Sequence, residues 1–439
     1  MTRPMRHLAL ALLAWLAPSC SQPPGATGGS SGQPATTPSV AIVTAPAPAA
    51  GSPVAAAGDR GWDPPDYSVP KEKFSDGARN FEAAKKALLE GYYSDSLTED
   101  DLYRAAVAGM LERADPRMRR WNRLLSPSDV RELRLDLQGE LVGVGVVFDF
   151  DPKTGYVAVR GTIPGSPAER AGIAPPDTIV TVDGKLYKGA AERDVVAAIR
   201  GKEGEPVTLT ILRGDKLVTV PLVREKIVYD TVTDLALPGG VGYVRIPGFN
   251  HRTAAGLHDA LGDLASKRVS ALVVDLRDDM GGSFDDAVAA AGELVPAGSA
   301  VAGLEKRGKT EPVTPRTTPM LLDLPVAVLV DGETASSAEC LAGALQELRH
   351  ATVVGSRTHG KWTVQVLEDL PNGYAVKYTT AVFRTPGGKS YDGTGLPPDV
   401  EVDATAEDVA RALQESDPAR RVAADVQLRT ALRVLARRP

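Results

Sequence analysis

Four short apolar runs, each separated from the next by a helical pattern, constrain the fold more than any other feature. They occupy the part of the chain that begins at Val241 and are GYVRI (242–246), ALVVDLR (271–277), PVAVLVD (325–331) and ATVVGS (351–356). The helical patterns between them cover 253–266, 284–294 and 336–348. Strands that are apolar on both faces and alternate with helices form largely parallel, buried sheets. We therefore predict an α/β layer here.

The segment before this layer has a different pattern, typical of a small β-rich module. Its apolar runs are VGVGVVF (142–148), YVAVR (156–160), TIVTV (178–182), VTLTILR (207–213) and LVTVPLV (217–223). Two short helical patterns, GSPAERAGI and AAERDVVAAI, interrupt them. Five strands and two helices in about 85 residues predict one compact module.

Helical patterns precede and follow these two regions. Phe81, Ala84, Leu88 and Leu89 share one helix face, and Thr98 with Asp101 predicts a capping box. We expect this second helix to turn four apolar residues inward: Leu102, Ala105, Ala106 and Met110. Asp115-Pro116 ends the pattern. A charged tail over 405–437 predicts one or two amphipathic helices.

The N-terminus has the pattern of an export signal. Arg3 and Arg6 precede an apolar run over 8–17, which is too short to span a bilayer as a helix. The following Leu16-Ala17-Pro18-Ser19-Cys20 resembles a bacterial lipobox, which predicts lipidation of Cys20. Soluble secretion and an uncleaved anchor are the alternatives. Residues 20–70, uncharged from Ser21 to Gly58, predict a flexible tether.

Charge and cysteine content exclude several classes of protein. The formal net charge is −6, and −8 once residues 1–19 are removed, since these hold Arg3 and Arg6 but no acidic residue. Such a chain is not expected to bind nucleic acid. Cys20 and Cys340 are its two cysteines, which excludes a disulfide scaffold and multi-cysteine metal sites.

Ser336 is a candidate nucleophile because it lies where an apolar strand becomes a helix. Backbone N–H groups at a helix N-terminus have no partner within the helix and can stabilise an oxyanion. The alternative is structural, since Ser336 and Glu339 have the spacing of a capping box.

Lys361 is a candidate general base. A lysine accepts a proton only when neutral, which requires burial to lower its pKa, and apolar residues surround Lys361 in sequence. Gln365 lies four residues further on and approaches Lys361 only if the chain turns near Gly360. The alternatives are a solvated lysine and a Ser/His pair that uses His359.

The pair Gly281-Gly282 follows the second apolar run and permits a close backbone approach with exposed N–H groups. A plain turn is one alternative. A metal site is the other, built from acidic residues: Asp278, Asp279, Asp285 and Asp286. Because no His or Cys joins these residues, we expect no metal site and no cofactor.

Six segments, taken in order, resemble the carboxy-terminal processing (tail-specific) serine proteases. They are RADPRM (113–118), GVG (143–145), VDLRDDMGG (274–282), TASSAE (334–339), HGKWTVQ (359–365) and TPGG through GLPPD (385–399). The resemblance implies an α/β, crotonase/ClpP-like protease core. It also implies a nucleophile at Ser336, a general base at Lys361 and an orienting residue at Gln365.

The same resemblance places the oxyanion donors at the N–H groups of Ser337 and of Gly281 or Gly282. This chain departs from the family pattern at three points. Ser337-Ala338 reverses the usual order, Trp362 replaces a glycine, and Asp278-Asp279 replace two asparagines. We expect Trp362 to narrow the cleft and the two aspartates to disfavour acidic substrate tails.

The β-rich module, over about 139–226, resembles a PDZ domain. Such domains bind a C-terminal carboxylate through backbone N–H groups and add the peptide to a sheet edge. The resemblance places the carboxylate loop within 141–146, at Gly143, Val144, Gly145 and Val146. The other wall of the groove would be the helix at 191–199.

The sequence thus predicts a multidomain α+β protein. Its expected parts are a signal peptide (1–19), a tether (20–70), a helical region (71–138), a PDZ domain (139–226), a protease core (227–404) and a helical tail (405–439). The expected function is a serine endopeptidase that cleaves exported proteins near their C-termini. We expect it in the bacterial cell envelope or periplasm, held by a lipid anchor, with a homo-oligomer as one expected form. The alternative is a catalytically weak PDZ scaffold.

Overall fold

The computed structural model describes residues 73–114, 121–150, 155–320 and 323–437. The predicted signal peptide, Cys20 and almost all of the tether lie outside these residues, as does part of the RADPRM segment. Within the described residues, no helix is long and apolar enough to cross a membrane.

Eleven helices lie in the described part of the chain. They are α1 (Gly77–Gly91), α2 (Glu99–Ala114), α3 (Pro127–Gln138), α4 (Pro167–Arg170), α5 (Glu192–Ile199), α6 (Thr253–Ser266), α7 (Phe284–Leu294), α8 (Ser337–Leu348), α9 (Ala406–Gln414), α10 (Pro418–Ala424) and α11 (Val426–Leu435). The charged tail therefore forms three helices rather than the one or two expected.

The same residues contain nineteen strands. The first nine are β1 (Arg123–Leu125), β2 (Glu140–Gly143), β3 (Val146–Phe150), β4 (Val157–Thr162), β5 (Thr178–Val182), β6 (Lys185–Leu186), β7 (Pro206–Arg213), β8 (Lys216–Val223) and β9 (Glu225–Val228). The other ten are β10 (Thr233–Leu237), β11 (Val241–Arg245), β12 (Ala271–Asp275), β13 (Ala302–Lys306), β14 (Lys309–Val313), β15 (Val326–Val330), β16 (Thr352–Gly355), β17 (Thr363–Asp369), β18 (Ala375–Arg384) and β19 (Val400–Glu401).

The chain divides into two compact units, the first ending at Tyr103 and the second beginning at Arg104. In the first unit, Lys85 lies 2.8 Å from the Glu82 carboxylate and 2.5 Å from that of Glu99. The predicted capping box is present, since Thr98 and Asp101 exchange hydrogen bonds of 3.1 Å. Helix α1 has no buried residue, so its apolar face is exposed.

Helix α2 corrects one expectation from the sequence. None of its residues is buried, and Met110 is 64% exposed. The four residues predicted to face inward therefore do not form a core. Helical periodicity shows which residues share a face, but it does not show whether another element covers that face.

The second unit contains the predicted α/β layer as a six-stranded sheet in the order β10-β11-β12-β15-β16-β19. The strands from β11 to β19 are parallel, and β10 is antiparallel to β11. One sheet face, which includes Val274 and Val328, packs with α6, α7 and α8. The other face, which includes Val273 and Leu329, packs with α11. Both faces are covered, as the continuous apolar runs predict.

The predicted β-rich module is the sheet β3-β4-β5-β7-β8, with β6 paired to β5. The run 142–148 is not one strand, because β2 pairs with β9 outside this sheet while β3 pairs with β4. The chain turns at Gly145, whose φ is +76°, and a Cβ there would lie 2.2 Å from Ser166 Cβ. Glycine is needed at this turn for both reasons.

A further sheet, β1-β18-β13-β14 with β17 paired to β18, lies in the same unit as the α/β layer. Strand β17 carries Gln365, and β1 brings the segment after residue 120 against β18. Asn122 Oδ1 accepts the N–H of Thr379 at 2.8 Å, which extends this pairing toward Trp121. The pairing of β1 with β18 therefore brings Trp121, which is distant in sequence, close to the segment that contains Lys361.

Candidate active site

The candidate site lies at the carboxyl ends of β12 and β15, which are neighbouring parallel strands. Ligands of α/β sheets commonly bind at this edge. The loop after β12 contacts the loop after β15, since the Ala335 N–H donates to the Asp279 carbonyl at 2.8 Å. A Cβ on Gly281 would lie 2.9 Å from Ser336 Cβ. The glycine pair and the candidate nucleophile are therefore in direct contact.

Ser336 precedes α8 with an unusual backbone conformation. Its φ is 56° and its ψ is −117°, whereas N-cap residues normally have extended dihedrals. Positive φ is uncommon for residues other than glycine and is often associated with function. The side chain is largely buried, with 8% of the residue exposed. The predicted capping box is also present, so the structural and catalytic interpretations of Ser336 coexist.

Glu339 connects the two halves of the candidate dyad. Its Oε2 accepts the N–H of Ser336 and the N–H of Lys361, each at 2.9 Å. The carboxylate is fully buried. Its Oε1 accepts three further donors: Gly360 N–H at 2.8 Å, Thr358 Oγ1 at 2.5 Å and Trp362 Nε1 at 3.0 Å. Five donors hold one carboxylate, which fixes the backbone of both candidate residues.

The sequence indicated Glu339 only as a capping residue. The Ser-x-x-Glu spacing revealed its bond to Ser336, but four of its five donors come from the segment 358–362. These contacts form because the loop after β16 packs beside α8. No local sequence pattern predicts this tertiary contact.

Lys361 lies beside an aromatic side chain that the sequence did not indicate. Its Nζ is 4.7 Å from the ring centroid of Trp121, which is a cation–π distance. The Trp121 ring also meets His359 edge-on, with centroids 6.2 Å apart. His359 is exposed, and its described contact is this ring, so the structure adds no support for a Ser/His pair.

Trp362 corrects the expectation that it narrows the cleft. It is completely buried, and its ring stacks on Phe383 with centroids 4.6 Å apart. Its indole N–H donates to Glu339. The side chain thus fills the core beneath the site and helps to hold Glu339.

Gln365 lies at an irregularity in β17, where the register shifts between Val364 and Gln365. Bulges of this kind re-aim side chains beside active sites. The Gln365 amide nitrogen donates to Thr363 Oγ1 at 2.7 Å and to the Thr363 carbonyl at 3.2 Å. Its role as the residue that orients Lys361 stays a prediction.

The two glycines of the predicted oxyanion site have different environments. The Gly281 N–H donates to Asp279 Oδ1 at 2.8 Å and is buried, whereas Gly282 is exposed. Ser337 begins α8, where N–H groups have no partner within the helix. Its hydroxyl donates to the Gly282 carbonyl at 3.2 Å. This geometry favours the N–H groups of Gly282 and Ser337 as oxyanion donors.

The acidic residues of this loop do not form a cluster. Asp278 and Asp285 are exposed, while Asp279 is completely buried. Across the described ranges, no group of three or more His, Cys, Asp or Glu side chains is arranged to hold a metal ion. Because Asp279 is buried, it does not face a substrate tail as expected. That Asp278 disfavours acidic substrate tails stays a prediction.

A buried ionic network lies at the carboxyl end of β12. Arg277 is fully buried and lies 2.6 Å from Asp275 and 2.7 Å from Asp425, which precedes α11. Tyr243 donates to Asp275 at 2.6 Å. Burial disfavours ionisation of Asp275, but Arg277 and Arg245 outweigh it and lower its pKa to about 2. The charged pair anchors the strand end that carries the glycine loop.

The predicted peptide-binding loop connects β2 to β3. Gly143 ends β2, Val144 packs in the module core, and the Val144 carbonyl accepts the Ala168 N–H at 2.9 Å. The Gly145 carbonyl accepts the Ile163 N–H at 2.8 Å, which holds the turn before Val146. The role of these four residues in binding a carboxylate stays a prediction.

Comparison with known proteins agrees with this architecture. Residues 240–402 match peptidase family S41, and residues 159–213 match the PDZ domain. A probable CtpA-like serine protease of Staphylococcus aureus (strain N315) is 36% identical over 321 residues, covering 72% of this chain and 63% of that protein. The chain therefore spans 63% of the length of this curated relative.

Two solved structures are also similar. The photosystem II D1 C-terminal processing protease is 29% identical, with a TM-score of 0.46, covering 79% of this chain and 99% of that one. A putative S41 protease from Bacteroides fragilis has a TM-score of 0.54 at 18% identity, covering 80% of this chain and 96% of that one, which supports the fold. Residues 240–402 therefore form a domain of peptidase family S41, and a PDZ domain precedes it in the chain.

Proposed function

We propose that this chain is a serine endopeptidase with a Ser336–Lys361 dyad. The observation that carries the proposal is the Glu339 carboxylate, which binds the N–H groups of both residues through one oxygen atom. A clamp of this kind fixes the relative position of a nucleophile and its base.

The proposed chemistry follows from these positions. Ser336 Oγ attacks the peptide carbonyl while neutral Lys361 takes its proton and later delivers it to the leaving amine. The N–H groups of Ser337 and Gly282 stabilise the oxyanion, a contribution of about 3–4 kcal/mol per donor in other serine proteases. Water then hydrolyses the acyl-enzyme. This sequence of steps requires no cofactor.

Substrates are proposed to be exported polypeptides, recognised by their C-terminal tails in the PDZ domain. The match of residues 159–213 to that domain supports this, as does the loop from Gly143 to Val146.

A lipid anchor at Cys20 and location in the cell envelope are proposed from the sequence. The test compares how the mature protein and a Cys20→Ser variant partition into a detergent phase. The exposed apolar face of α1 supports a homo-oligomer, which light scattering would detect.

The dyad is tested with an unfolded, C-terminally tagged protein as substrate. We expect the wild type to degrade it and both Ser336→Ala and Lys361→Ala to lose at least a thousandfold in rate. The double variant should be no slower than either single one, because the two residues act as one unit. A His359→Ala variant is the matched control and should keep its activity. If Lys361→Ala keeps most of its rate while His359→Ala loses it, the dyad is wrong.

A further inference from the structure

Asp279 lies two residues before Gly281, in the loop that contacts Ser336. Its backbone is fixed at both ends, since its N–H donates to the Leu276 carbonyl at 3.3 Å and its carbonyl accepts the Ala335 N–H at 2.8 Å. Its Oδ1 accepts the Gly281 N–H at 2.8 Å. The side chain therefore determines how the glycine loop is presented to Ser336.

The Asp279 carboxyl group has an environment that suits a neutral acid. The residue is completely buried, and its Oδ2 has no hydrogen-bond partner among the described residues. A buried carboxylate with one N–H donor is strongly disfavoured, whereas a protonated carboxyl group needs far less compensation. Glu339, which has five donors, shows what this protein provides where it buries a carboxylate.

Three charged groups surround Asp279 from the elements packed against it. Arg245 on β11 lies 3.8 Å from Asp275 and 3.8 Å from Asp278, so its described ion pairs are with other acids. Asp278, on the same loop, and Asp331, after β15, are both acidic and disfavour a further negative charge. Burial, above all, raises the pKa of Asp279 well above its ordinary value. The Gly281 N–H and Arg245 oppose this rise only in part.

We propose that Asp279 is a positioning residue for the oxyanion loop, and that it performs this role only while its carboxyl group carries its proton. The inference rests on the proposed function, because it concerns the loop that would stabilise the oxyanion. In the protonated form, Asp279 binds Gly281 as an asparagine would. In the ionised form, a negative charge lies one residue from the glycine pair and opposes the oxyanion that develops beside it.

The proposal predicts that activity falls at both acidic and alkaline pH. Lys361 must lose its proton to act as a base, so activity rises with pH at the acidic side. Asp279 must keep its proton, so activity falls again as the pH rises further. The buried Asp279 carboxyl group would therefore give this enzyme an alkaline limit to its activity.

The first experiment compares pH profiles of kcat/KM for the wild type and Asp279→Asn, with the full chain and a tagged substrate. Because an asparagine is isosteric and neutral at every pH, we expect the variant to match the wild type near its optimum. On the alkaline side of the optimum the wild type should lose at least tenfold and the variant should not. Asp285→Asn, which removes an exposed charge at the start of α7, should keep the wild-type profile. A wild type without an alkaline loss, or an Asn variant that is inactive at all pH values, overturns the proposal.

The second experiment does not depend on proteolysis and uses a Ser336→Ala background. In the unfolded chain an aspartate has a pKa near 4, while the folded value is raised, so the folded state binds the proton more tightly. The wild-type carboxyl group therefore contributes stability below about pH 4 that is lost as the pH rises toward the folded pKa.

We expect Asp279→Asn to raise the thermal midpoint by several degrees at pH 8, with a smaller difference at pH 5. Equal midpoints at both pH values would refute the buried neutral acid. If the protein with Ser336 intact shows no proteolysis, but the pH-dependent difference in thermal midpoint is present, the result counts against the proposed function and not against the buried neutral acid.

Discussion

Glu339 illustrates how one side chain can join the two segments that carry the candidate dyad. Its five donors include the backbone N–H groups of Ser336 and Lys361 and the indole N–H of the buried Trp362. The sequence indicated both catalytic candidates mainly through the family resemblance of the segments 334–339 and 359–365, since a Ser at a strand–helix junction and a Lys within an apolar segment are each compatible with a structural role. It did not identify the carboxylate between them or Trp121 over Lys361, since these contacts arise only from tertiary folding.

Replacing Glu339 by Gln should impair both folding and catalysis. The new amide group presents donors to a site that contains five donors, so several N–H groups lose their acceptor. Each buried donor left unsatisfied costs about 1–3 kcal/mol. We expect a loss of at least a hundredfold in kcat and a clear fall in the urea midpoint. Glu333→Gln, an exposed position on the preceding loop, is the control and should change neither.

At the scale of elements, the apolar runs predicted β11, β12, β15 and β16 and their parallel order. The prediction succeeded because runs apolar on both faces leave few alternatives to a covered parallel sheet. It failed for the run 142–148, where Gly145 divides two strands that pair in different sheets. It also failed for the inner face of α2, because coverage by a partner element is not encoded in periodicity.

The tail helices proved to be part of the core rather than an appendage. Asp425 precedes α11, accepts the Leu428 N–H at 2.9 Å and pairs with the buried Arg277. Leu428, Ala431 and Leu435 pack against the six-stranded sheet. The sequence predicted one or two amphipathic helices over 405–437 but not the surface that their apolar faces cover, since that contact arises only from tertiary folding.

Asp425→Ala should therefore destabilise the whole second unit. It removes one partner of a buried ion pair and leaves Arg277 incompletely neutralised, a change that costs about 3–5 kcal/mol. It also removes a helix cap. Urea unfolding should show a lower midpoint than the wild type, whereas Asp403→Ala, an exposed position before the tail helices, should leave it unchanged. Equal midpoints for the two variants would mean that α11 is held by its apolar face alone.

At the scale of the whole molecule, the PDZ domain and the protease core lie in one compact unit. Arg200, at the end of α5, lies 3.5 Å from Glu132 and 3.8 Å from Asp136 on α3. The helix that would form one wall of the peptide groove is thus connected to the helix that precedes β2.

Substrate choice should then depend on the free C-terminal carboxylate of the substrate. A carboxylate held by several N–H groups makes charge-assisted hydrogen bonds of about 1.5–3 kcal/mol each, which amidation weakens. We expect an amidated peptide to compete about tenfold less well than the matched acid, a difference of about 1.4 kcal/mol in binding. Deletion of residues 142–224 should abolish this preference, whatever it does to the basal rate. The measurement is a competition between acid and amide peptides with both forms of the enzyme. Equal cleavage of the two by the full-length enzyme would show that the PDZ domain does not select substrates by their C-termini.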